Sequence, residues 1–274
     1  MTCGCLAVAT PAMARATDDP PPGSQEYRVD LAYGGRWYDA EKTRASKRDD
    51  LACWAAAAAN MLAWTGWGIE AGFKDEDEIL AYLVKHLGES GADSPRDVWN
   101  WWFSGDLIDT GGKPRAIPGG GFFKDTAFPE YVWKSPRGGL YRGLGSRMIQ
   151  RNPLALKVLL DEGYGVAIQV VRPRKGGGRA SHMIALWGYT FDDEHAFKGI
   201  IVSDSDDAKK NRNPRRAPNA LRYYPVTLRD GMWWFKLNDG DEFQILAAYA
   251  LARKERSAEK PAKSRKPGPR PDLP

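Results

Sequence analysis

The residues able to carry out nucleophilic chemistry are scarce in this chain: among its 274 residues are three cysteines and three histidines. Cys3 and Cys5 stand near the amino terminus, so Cys53 is the only cysteine in the body of the sequence. It lies in D-D-L-A-C-W-A-A-A-A-A-N-M-L-A-W, residues 49–64, at the first turn of an expected helix. A thiol attacks a carbonyl only as the thiolate, and the unpaired N–H groups of a helix's first turn favour that anion. Asp49 and Asp50, the expected caps, oppose ionisation by their charge, so the thiol also needs an imidazolium nearby.

Of the histidines, His86 ends an amphipathic helix and His195 sits in the polar turn D-D-E-H, so both read as solvated surface residues. His182 opens the apolar run H-M-I-A-L-W-G-Y, where the plainest reading is a hydrogen-bonded histidine at a strand end. The segment after it adds a second possibility. Strand 182–189, a turn near 192–197 and the strand G-I-I-V-S-D at 199–204 predict a hairpin. The expected register pairs Ile184 with Val202, Leu186 with Ile200 and His182 with Asp204. Directly opposed residues of an antiparallel pair share a face, with Cβ atoms about 5 Å apart. Asp204 is then placed to accept the imidazole Nδ1–H while Nε2 faces the nucleophile, which completes a Cys-His-Asp set. Read blandly, Asp204, Asp206 and Asp207 are a polar strand end. D-S-D-D-A-K lacks the glycine and further acids of a calcium loop, and no second His or Cys stands at ligand spacing, so neither metal nor cofactor is expected.

The elements that must position these groups emerge from periodicity. Helices are expected at 51–64, at 76–87 with Asp75 as cap, at 95–103 opened by Ser94-Pro95, and at 153–162 with Asn152 as cap. A Gly/Pro-rich connection covers 104–121. Strands are expected at 166–171, 182–189, 199–203, 221–228, 232–237 and 243–251. Helices first and strands afterwards predict an α+β domain with an antiparallel sheet over residues 31–252. Trp99, Trp101, Trp102, Trp233 and Trp234 are expected as packing rather than as a ligand platform. K-G-G-G-R-A-S at 175–181 lacks the ending and helix of a phosphate loop and reads as a hinged basic loop before His182.

The formal charge of +5 suggests nucleic acid until its position is examined. Residues 253–274 hold eight Lys/Arg against three acids, so residues 1–252 are neutral and no basic face for phosphates is expected. That Pro/Lys-rich tail reads as disordered. Residues 1–16 carry a short apolar stretch and an A-x-A pattern at 14–16, the features of a shortened signal peptide, with 17–30 as an extended leader. Secretion or a periplasmic location is expected, without a membrane span.

In order and spacing, W-Y-D-A-E-K (37–42), the Cys53 segment (49–64), D-E-G-Y-G-V-A-I (161–168), S-H-M-I-A-L-W-G-Y-T-F (181–191) and I-I-V-S-D-S-D (200–206) resemble the IdeS/Mac bacterial immunoglobulin-degrading cysteine peptidases. The resemblance spans roughly residues 35–252 and fades over 65–150. It implies a papain-like fold and a protein substrate, immunoglobulin being one possibility. It implies Cys53 as nucleophile, His182 as general base and acid, Asp204 as the residue orienting the ring, Asp206 as an auxiliary acid and Lys42 as a donor to the oxyanion. Two positions depart from the family pattern: Trp54 stands where a glycine commonly follows the cysteine, and Lys42 is one residue farther from Cys53. The same triad would also serve acyl transfer to an amine, as in transglutaminase-like enzymes, and the same scaffold would serve a catalytically silent binding protein.

Overall fold

The structure is a computed structural model that describes residues 20, 22–42, 52–108, 112–134, 140–142, 144–145, 154–173, 177–194, 196–206, 220–236 and 240–254, without the side chains of 132–145 and 154. The expected signal peptide, Asp49, Asp50, Asn152, Pro153, His195, Asp207 and all of the tail beyond Lys254 lie outside the described residues.

Strand β1 (Gln25–Arg28) and the short helix α1 (Val29–Ala32) lead to α2 (Cys53–Trp64), α3 (Trp67–Glu70), α4 (Glu76–Leu87) and α5 (Pro95–Ser104). Two small hairpins follow, β2 (Asp106–Ile108) with β3 (Pro114–Ala116) and β4 (Val132–Lys134) with β5 (Leu140–Arg142). After β6 (Leu144–Gly145) and α6 (Leu154–Asp161) come β7 (Gly165–Pro173), β8 (Arg179–Phe191), β9 (Phe197–Ser203), β10 (Arg222–Pro225), β11 (Thr227–Arg229), β12 (Met232–Lys236) and β13 (Glu242–Leu251). The fold is α+β. Among the described residues nine strands form one antiparallel sheet in the order β10-β9-β8-β7-β13-β12-β11, with β1 on β8 and β6 on β13.

Helix α2 is buried along its length from Ala55 to Trp64. It packs on β7 and β8 on one side and on α4 and α5 on the other, which is why its sequence is apolar all round rather than along one stripe. Five consecutive alanines allow these neighbours to approach closely. At its far end Gly66, with φ of 83°, takes the left-handed conformation that stops the helix. Asp75 and Ser94 cap α4 and α5 as expected, accepting from the backbone N–H of Glu78 and Asp97. Trp99, Trp101 and Trp102 are all core residues of α5.

Several expectations need correction. Residues 25–28, read as part of an extended leader, form a strand paired with Gly188–Phe191 of β8, and Val29 and Asp30 are buried behind it. The 104–121 connection contains the β2–β3 hairpin, whose three-residue strands are too short to show a period. The expected strand 221–228 is divided at Val226: its N–H still donates to the Lys198 carbonyl of β9 at 2.9 Å, and from Thr227 the chain pairs with β12 instead. His86 is more than a solvated residue: its ring lies tilted by 39° against Tyr82 with centroids 4.3 Å apart, and Nδ1 lies 3.2 Å from the Pro118 carbonyl.

The β8–β9 register also differs. Asp192 closes the turn by accepting the N–H groups of Glu194 and Ala196, so Phe191 pairs with Phe197. Leu186 then faces Val202 and Ala185 faces Ser203, with a bulge at Trp187. The slip from the expected pairing is two residues at Leu186, which preserves the face that each side chain occupies. His182 pairs with Val170 of β7 and lies beyond the last residue of β9.

Candidate active site

The nucleophile candidate sits at the start of a buried helix. Cys53 is the first residue of α2, preceded by Ala52, which occupies the cap position without a side-chain hydrogen bond. Asp49 and Asp50 are therefore not the immediate caps expected, and the first turn contains no acid. The helix end presents its partial positive charge to the thiol.

His182 reaches Cys53 from the part of β8 that outruns β9. Asp204 is the residue after the last paired position of β9, diagonal to His182 rather than directly opposite it, a separation that side chains can still bridge. Its Oδ1 lies 2.6 Å from His182 Nε2. The expected ring orientation is thus reversed: Nε2 meets the carboxylate, and the nitrogen left for the thiol is Nδ1. The Asp204 Oδ1 also accepts the Asp206 backbone N–H at 3.0 Å, so the turn itself orients the carboxylate.

Lys42 belongs to the irregular segment 35–42, which meets α2 where Asn60 accepts the Ala40 N–H. The Lys42 side chain is 1% exposed, and its ammonium lies 2.6 Å from Asp206 Oδ1. The five expected residues, Cys53, His182, Asp204, Lys42 and Asp206, are therefore brought together. Trp54, next to the thiol, is half-buried against the core.

The electrostatics favour a thiolate–imidazolium pair. Burial pushes the Cys53 thiol upward, but a hydrogen bond with His182, the charges of His182 and Lys42, and the Met183 backbone N–H outweigh it and bring its pKa below the ordinary value. Burial likewise works against the charged ring of His182, yet Asp204 by charge and hydrogen bond, followed by Cys53, raises it to about 10. Each group holds the other in its charged form.

His182, Asp204 and Asp206 offer ligand atoms within 4.8 Å of one another, the geometry of a possible metal site. Two resident cations already answer these acids: Lys42 on Asp206 and the imidazolium on Asp204.

Sequence reasoning missed the groups behind this site. Asn60, seven residues after Cys53 on α2, accepts the Ala40 N–H at 2.7 Å and donates to Ser203 Oγ at 3.4 Å. Ser203 donates to the Tyr38 carbonyl at 2.8 Å and accepts from Trp187 Nε1 at 3.0 Å. One signal was present: Asn60 is the single polar side chain within A-A-A-A-A-N-M-L-A, where a buried amide requires partners. Comparison of the chain with models of known families and with curated proteins gives no match to either.

Proposed function

We propose that this chain is a cysteine peptidase of papain-like arrangement, similar to the IdeS/Mac peptidases, that hydrolyses a protein substrate. The observation that carries the reading is the line from Cys53 through the ring of His182 to Asp204, with Nε2 2.6 Å from Oδ1 and the thiol held below its ordinary pKa. Thiolate and imidazolium together are what acyl chemistry at neutral pH requires.

In the proposed reaction the Cys53 thiolate adds to the scissile carbonyl carbon. The C–S bond forms as the carbonyl π electrons move to oxygen. That oxyanion faces the Lys42 ammonium and the N–H at the start of α2, donors fixed before the reaction and so free of reorganisation cost. The Lys42–Asp206 pair holds the ammonium in place. As the tetrahedral species collapses, the C–N bond breaks and His182 Nδ1 gives its proton to the departing amine, leaving a thioester and a neutral ring. A water then loses its proton to Nδ1 while its oxygen attacks the thioester. The carboxylic acid departs and Cys53 returns as the thiolate paired with imidazolium. Asp204 stays ionised throughout and holds the ring in orientation.

The test incubates the wild-type chain and Cys53→Ala with a complex protein mixture that includes immunoglobulin, and sequences new termini. New amino termini with the wild type and none with Cys53→Ala are expected. Equal cleavage by both variants would overturn the proposal. Cross-linked or amidated products in place of new termini would reassign the thioester to acyl transfer.

A further inference from the structure

We propose that Asn60 and Ser203 form a positioning node that sets the spacing of Cys53, Asp204 and Lys42; its activity consequence rests on the peptidase reading. Asn60 follows Cys53 by seven residues, about two turns, and so lies on the same side of α2. Ser203 immediately precedes Asp204, and Ala40 stands two residues before Lys42. Asn60 and Ser203 are 2% and 1% exposed. Three catalytic segments therefore meet at one buried pair of side chains.

The hydrogen bonds leave the Ser203 hydroxyl no spare capacity. It donates once, to the Tyr38 carbonyl, and accepts twice, from Trp187 Nε1 and Asn60 Nδ2. The Asn60 amide spends its oxygen on the Ala40 N–H. Such a network is needed because of the alanine run beside it. Residues 55–59 give α2 a smooth surface, and apolar burial is non-directional, so packing alone fixes poorly where the helix stops along its own axis. Directional bonds from Asn60 supply that register. The site is sensitive to it: a misplacement of about 1 Å costs on the order of 10²-fold in rate. The hydroxyl also binds the indole of Trp187, the residue at the β8–β9 bulge, which couples the helix to the strand irregularity that brings Asp204 beside His182.

The experiment uses the full chain and reads the rate of Cys53 alkylation by iodoacetamide against pH. Mass spectrometry of the peptide containing Cys53 separates it from Cys3 and Cys5. Ser203→Ala is expected to raise the apparent thiol pKa by about one unit, slowing alkylation about tenfold below the crossover. Ser203→Thr, which keeps the hydroxyl, is expected to restore the wild-type profile. Thr65→Val removes another buried hydroxyl at the end of the same helix, one that donates to the Met61 carbonyl, and is expected to lower stability with no change in profile. Asn60→Leu approaches the node from the helix side and is expected to shift the profile in the same direction as Ser203→Ala. An unmoved profile in either folded variant overturns the inference, as does an equal shift with Thr65→Val. Failure of both Ser203→Ala and Asn60→Leu to fold would make the pair scaffold and overturn it too. An ordinary thiol pKa in the wild type would instead sink the peptidase reading itself.

Discussion

Strand β8 carries a cluster of charges and rings near each end. Near its start, His182 meets Asp204, and Lys42 meets Asp206 with the lysine side chain 1% exposed. Near its other end, Tyr189 donates to Asp161 Oδ1 at 3.1 Å, and Lys157 pairs with the same carboxylate while lying 5.6 Å from the Tyr189 ring centroid. Tyr27 and Tyr33 donate to the Leu160 and Asp161 carbonyls, tying β1 and α1 to the end of α6. The ingredients are similar, but the Lys157 side chain is 44% exposed. Water screens that pair, whereas Lys42, His182 and Asp204 of the first cluster are buried beside the Cys53 thiol. In the second cluster burial and then Asp161 push Tyr27 up to about 12, so its phenol remains a donor and a strut. Ion pairs built from similar residue types thus differ here in burial and in whether a thiol stands beside them.

Replacing the buried cation should break the contrast most severely. Lys42→Met is expected to lower kcat by about 10²–10³-fold, the usual loss for an oxyanion donor, and to slow Cys53 alkylation at neutral pH. The accompanying stability loss should fall short of the about 3–5 kcal/mol typical of a fully buried pair, because the Asp206 side chain is 20% exposed. Steady-state kinetics, alkylation rates and thermal melts read these effects. Full kcat in Lys42→Met would remove the lysine from the mechanism.

A pH series sharpens the comparison with a smaller effect. Activity should trace a bell whose acidic limb reports protonation of the Cys53 thiolate, below the ordinary thiol range, and whose basic limb reports loss of the His182 proton, near 10. The raised histidine sets the sign for stability. Its contribution is complete below the unfolded value of about 6.5 and disappears as pH climbs through the folded value. Melting temperature should therefore fall on the alkaline side, and His182→Gln should remove that part of the decline. An alkaline decline of equal size in His182→Gln would sever the link to this ring.

The smallest effect belongs to the other end of β8. Lys157→Met should cost no more than about 1 kcal/mol in a denaturant titration and leave turnover unchanged. A large loss of activity would show that the two ends are coupled through the strand and that screening does not separate them.

Much of this architecture is legible along the chain. Helix α4 occupies the expected span 76–87, because Asp75 caps it and Ile79, Leu80, Leu83 and Leu87 recur at helical spacing. The site residues are legible by scarcity, with one thiol in the body of the chain and one histidine opening an apolar strand. Asn60 and Ser203 escape notice because a single polar residue in a buried run reveals nothing of its partners until the chain brings them together. Element types, the faces they bury and the residue types of the site are thus inscribed in the linear chain, each within a short local period. Folding in three dimensions was needed to bring Asp204 to His182 on the diagonal, to turn Nε2 toward it, and to bind the segments together through Ser203 and Asn60. A two-residue slip, as at Leu186, keeps a side chain on its face, so alternation is blind to it; turn closure at Asp192 and the bulge at Trp187, beyond which the offset becomes three, choose the register through contacts made only in the folded chain.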